Sequence, residues 1–130
     1  MEVPLSQSIG LVRGAAVNFI APVGDAVFVA FSDKLMYDRG SGLVECANSD
    51  GASVVAVGYC DGSNGTFFVS SESVYRLIQF TDAGGGIAYR LQKLNSTSMP
   101  GLKCVQYDAA DGMLYVGGDG GLIARGRCSD

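Results

Sequence analysis

Along the whole chain, apolar and β-branched runs of four to eight residues alternate with clusters of Gly, Asp, Asn and Ser. No long window places apolar residues at i, i+3, i+4 and i+7, so helices are not expected. Short apolar runs bounded by turn-formers predict strands instead. The runs are IGLV (9–12), AAVNFIA (15–21), AVFVAF (26–31), KLMY (34–37), GLVEC (42–46), SVVAVGY (53–59), TFFVS (66–70), VYRLIQF (74–80), IAYRLQKL (87–94), LKCVQY (102–107), MLYVG (113–117) and LIARG (122–126). They predict an all-β chain.

The pattern recurs. AVNFIAPVGDAVFVAFSDKLMYDRG, SVVAVGYCDGSNGTFFVSSESVYRLIQF and LKCVQYDAADGMLYVGGDGGLIARGR each read strand, Gly-containing turn, strand, polar turn, strand. Their middle strands centre on Val29, Val69 and Val116, and the third strands start at Leu35, Val74 and Leu122. A fourth strand follows the first two copies, at 42–46 and 87–94. A repeat of some forty residues with four strands is the pattern of a propeller blade. The segment D-x-x-D-G-x-L-Y-V-G-x-x-G-G-L-I-x-R at 108–125 resembles blades of WD-repeat and related β-propellers. That resemblance implies one all-β domain spanning 1–130: a strand at 8–14 and blades at 15–47, 52–95 and 101–128.

Three blades cannot close a ring of the usual four to eight. The resemblance implies a half-propeller whose last blade is completed by the N-terminal strand, between two copies of the chain or with a different partner chain. The interface expected for this uses Ile9, Leu11 and Val12 with Leu122, Ile123 and Arg125. A β-trefoil, with three repeats closing as a monomer, is the alternative architecture.

Composition narrows the chemistry. A 130-residue chain that is 48% apolar can bury one core. Its 19 glycines follow no three-residue period and fall between the runs, as tight turns require. The formal charge of −4 and the lack of a basic stripe argue against nucleic acid. No apolar run reaches the length of a membrane helix. The start, MEVPLSQSIGLVRG, lacks the basic and apolar regions of a secretory signal, so a cytoplasmic location is expected. On that expectation the tripeptides at Asn64 and Asn95 are not glycosylation sites. Cys46, Cys60, Cys104 and Cys128 include no C-x-x-C pair, which predicts buried free thiols, no disulfide framework and no metal.

No histidine occurs, so the common triads and Cys-His dyads are absent, and no enzyme activity or cofactor is expected. The glycine runs at 84–86 and 117–121 lead into strands, unlike phosphate-binding loops, which open helices. DGSNG (61–65) lacks the alternating acids of a calcium loop and reads as a hairpin turn. The tyrosines and arginines around the third and fourth strands, such as Tyr37, Arg76, Tyr89 and Arg90, read as packing between blades.

On propeller topology, one face gathers the turns after each second strand and the linkers between blades. It presents Asp33, Lys34, Asp50, Glu72, Asn95 and Asp119, with 94–101 as an adaptable loop. Four carboxylates against one lysine favour a basic or polar partner. The expected function is a non-catalytic protein- or peptide-interaction platform, self-assembled or with a partner chain. The alternative is a sugar-binding lectin, although the aromatic platform usual for that function lacks its Trp here.

Overall fold

The computed structural model describes residues 14–62 and 65–127, and these form an all-β fold of three antiparallel sheets. The first sheet is a meander of β1 (Val17–Val23), β2 (Ala26–Phe31), β3 (Leu35–Asp38) and β4 (Leu43–Glu45). The second repeats that order with β5 (Gly58–Gly62), β6 (Gly65–Val69), β7 (Val74–Thr81) and β8 (Ile87–Lys93). The third has β9 (Leu102–Asp108), β10 (Met113–Gly118) and β11 (Ile123–Arg127), with β10 in the middle. Among the described residues, nothing pairs with the outer edge of β11. Nor is any described helix long and apolar enough to cross a membrane.

Turn chemistry explains where the chain reverses. Asp38 Oδ1 accepts the Gly40 and Gly42 amides at 2.6 and 3.2 Å, and Asp82 Oδ1 accepts those of Gly84 and Gly86, both at 2.9 Å. A short carboxylate that satisfies nearby backbone donors closes the turn without a ladder bond. The run at 84–86 is therefore the tip of the β7–β8 hairpin. The run at 117–121 is the end of β10 and a 3₁₀ turn, Asp119–Gly121, with Gly120 at φ 69°.

Alternation along the strands builds two cores. Phe28, Leu35 and Tyr37 of the first sheet meet Phe68, Tyr75 and Leu91 of the second. On the opposite side of the second sheet, Phe67, Val69 and Val74 meet Leu102, Val105, Leu114 and Val116 of the third. The middle sheet thus buries both faces, and Phe67 and Phe68 are each 0% exposed. Each such ring contributes about 1.5–3 kcal/mol of burial. The tyrosines pack as expected: Tyr37 and Tyr89 meet edge-to-face across the sheets at 5.1 Å. Arg90 lies over the Phe80 ring at 5.7 Å, within its own sheet.

Several expectations shift. Of the run 53–59, only Gly58 and Tyr59 lie in a strand, β5. Val54 and Ala56 are buried within an extended linker whose ladder contact is the bridge from Ser53 to Ala47. Their apolarity reports burial against the first core, not pairing. The middle-strand valines are not in one register. Val29 and Val116 stand one pair before the end of their hairpin ladders, at Ala30–Leu35 and Gly117–Ile123. Val69 is itself in the last pair, with Val74, so Phe68 is the residue that matches Val29 and Val116. Cys46 and Cys60 are buried free thiols, but Cys104 is exposed, because it faces outward beside Gly117. Ile9, Leu11, Val12 and Cys128 lie outside the described residues.

Candidate binding groove

The ends of the three sheets converge. Asn18, Val57, Ser71, Gly101, Leu102, Lys103 and Asp119 line a groove of about 490 Å³. Asn18 comes from the first sheet, Val57 from the linker into the second, Ser71 from the β6–β7 turn, Gly101, Leu102 and Lys103 from β9 and the linker before it, and Asp119 from the 3₁₀ turn after β10. A bulge in β1 shifts the register between Val17 and Phe19, at Asn18. Its Nδ2 donates to Ala56 O at 3.0 Å, which ties the first sheet to the linker.

Backbone hydrogen bonds hold the groove's floor. Leu102 N donates to Ser71 O at 3.0 Å, Asp119 N to Gly101 O at 2.8 Å, and Met99 N to Glu72 O at 2.9 Å. Gly118 permits this closeness, since a Cβ there would stand 2.2 Å from Gly101 O. Lys103 Nζ and Asp119 Oδ1 form an ion pair at 2.8 Å on the rim. The hydrogen bond to Asp119, and then its charge, push the Lys103 ammonium above its ordinary pKa. Both side chains are about two-thirds exposed, so the pair adds little stability and stays accessible to a ligand.

The six residues expected to bind are dispersed among different roles. Asp119 is in the groove, and Glu72 follows Ser71 on the same turn. Asn95 is a clamp: its Oδ1 accepts from Val74 N at 2.9 Å, and its Nδ2 donates to Glu72 O and Thr97 O. That holds the 94–101 linker onto the β6–β7 turn. Asp50 Oδ1 accepts the Ala52 amide at 2.8 Å and shapes its own loop. Asp33 and Lys34 line a separate hollow with Phe31, Met36 and Leu43. Leu122, expected at an interface, packs inward on the second core, whereas Ile123 and Arg125 are exposed.

Asn18 and Lys103 were missed from the sequence, whereas Ser71 was expected on the binding face as part of the turn it shares with Glu72. Asn18 had a signal, as the polar residue inside the run AAVNFIA. Lys103 had none, because only the meeting of two sheets makes it a neighbour of Ser71. Among the described residues, no three His, Cys, Asp or Glu side chains stand together as metal ligands would. The chain matches no family model, no curated protein and no solved structure in the comparisons made.

Proposed function

We propose that the protein is a non-catalytic interaction module whose three meanders are propeller-like blades, and that it binds a polar or basic peptide segment in the groove. The carrying observation is that all three sheets, or the linkers entering them, contribute to one open groove. Separate meander sheets support the blade reading. A trefoil needs ladders between repeats, and among the described residues the bridges outside the sheets' own ladders are two isolated ones, Ala47 with Ser53 and Asn48 with Leu91. Close approach of the innermost strands β5 and β9 also fits blades around an axis: a Cβ on Gly58 would stand 2.6 Å from Lys103 O.

The groove offers a neutralised ion pair, the Ser71 hydroxyl and the Asn18 amide, with Glu72 beside it. A cationic or polar segment can exchange Lys103 for its own ammonium at Asp119, whereas an acidic one meets Glu72. The test is fluorescence anisotropy with three sets of labelled dodecapeptides of basic, neutral and acidic composition. Basic and neutral peptides are expected to bind, and Ser71→Arg or Asp119→Lys to weaken the basic set at least tenfold. Absence of binding by all three sets, or binding unmoved by both substitutions, overturns the reading.

A further inference from the structure

The two outermost sheet faces carry apolar residues with nothing described against them. On the first sheet, Ile20, Val27, Val29 and Met36 face away from the core, and Ile20 is 60% exposed. On the third, Met113, Tyr115 and Ile123 face outward, and Ile123 is 75% exposed.

The registers show what each of these positions is elsewhere in the chain. The pair that ends the second-to-third-strand hairpin is Ala30–Leu35 in the first sheet, Val69–Val74 in the second and Gly117–Ile123 in the third. Ile123 therefore corresponds to Leu35 and Val74, which are 0% and 4% exposed because the following sheet covers them. Tyr115 corresponds likewise to the buried Phe28 and Phe67. In the opposite sense, Val29 corresponds to Phe68 and Val116, and Ile20 to Tyr59 and Val105, which face a preceding sheet. The third sheet thus presents a face built to be followed, and the first a face built to follow.

Charge agrees with shape. The outer face of the first sheet carries Asp38 and Glu45, in register with Val27 and Met36. Asp33 and Lys34, opposite in charge, stand together beside Met36 at the end of that face, so the face is acidic on balance. The outer face of the third carries Arg125 and Arg127, in register with Tyr115 and Met113, with Asp108 at its margin. Opposite charges on faces that would meet favour that register over like-face pairing.

We propose that the outer face of the third sheet docks on the outer face of the first sheet of a second copy, and that two such contacts close a two-fold ring of six sheets. This rests on the blade reading above. The same stacking that is seen twice within the chain is then repeated twice between chains, and no apolar sheet face is left open.

The experiment is light scattering after size exclusion of the full chain at about 1–100 µM, with Ile20→Lys, Ile123→Lys and Arg125→Glu. Both isoleucines are exposed, so circular dichroism should show the variants folded. Wild type is expected at twice the 13.5 kDa of one chain. Each Ile→Lys variant should raise the dissociation constant at least tenfold, and Arg125→Glu should do so by a smaller factor. Mixing Ile20→Lys with Ile123→Lys pairs the intact third-sheet face of one with the intact first-sheet face of the other, so the mixture should associate more strongly than either variant alone. A wild-type monomer at the top concentration, a dimer indifferent to both lysines, or a mixture no stronger than its parts overturns the proposal. A monomer that still takes basic peptides in the groove would overturn the ring and leave the groove standing.

Discussion

At the scale of single residues, burial decides which groups have chemistry left to offer. Cys46 is fully buried between the first and second sheets, with its thiol 3.8 Å from Tyr89 O. Burial, and to a lesser extent the charge of Glu45, push that thiol from 9.0 up to about 12. The folded protein therefore keeps the proton where the unfolded chain gives it up. The stability contributed is complete below pH 9 and falls as pH rises toward about 12, by up to about 1.4 kcal/mol per pH unit. Cys46→Ala removes this slope. In urea unfolding at pH 8, 9.5 and 10.5, wild type should be the more stable protein at pH 8, and its advantage over Cys46→Ala should shrink at each step. A gap independent of pH would mean that the folded thiol ionises as freely as the unfolded one. Asn95 shows the converse case. A polar side chain in an exposed-looking loop reads as adaptable, yet both ends of its amide are engaged in holding the linker.

At the scale of elements, most strands were legible because alternating burial and turn chemistry act locally. AVFVAF alternates so that Ala26, Phe28 and Ala30 are buried in one core, and Asp38 and Asp82 close their turns with their own carboxylates. The run 53–59 was misread as a strand because apolarity records burial, and a linker crossing between sheets is buried too. The groove was the least legible part, since Ser71 and Lys103 become neighbours only through the approach of separate sheets. That approach depends on glycine. At Gly58 an added Cβ would stand 2.6 Å from Lys103 O and 3.2 Å from Val69 Cγ2, and the first of these is backbone that cannot swing aside. Gly62, in the same strand, has nothing within 4 Å of the corresponding point. Gly58→Ala should therefore cost about 1–3 kcal/mol in denaturant unfolding, as overpacking does, whereas Gly62→Ala should stay within about 0.5 kcal/mol of wild type. Equal effects at the two positions would show that the strands can part without loss.

At the scale of the whole molecule, the middle sheet couples the other two. Phe68 reaches the first core, near Phe19 and Phe28, while its sequence neighbour Phe67 stacks on Tyr107 in the second core at 5.8 Å. Removing either ring costs about 3–5 kcal/mol, a large share of the 5–15 kcal/mol that holds a domain of this size. Two outcomes can be told apart. In a one-dimensional stack, Phe67→Ala would loosen the third sheet and leave the first intact. In a single cooperative unit, both would weaken together. The backbone bonds Leu91 N to Ala47 O, from β8 to the linker after the first sheet, and Leu102 N to Ser71 O, from β9 to the β6–β7 turn, cross each junction and favour the cooperative case. Hydrogen exchange on Phe67→Ala should therefore show amides of β2 and β10 gaining exchange by similar factors, and Phe68→Ala should give the same result from the other side. Protection retained in β2 while β10 exchanges freely would instead mark the chain as separable sheets, held in register by their junctions alone.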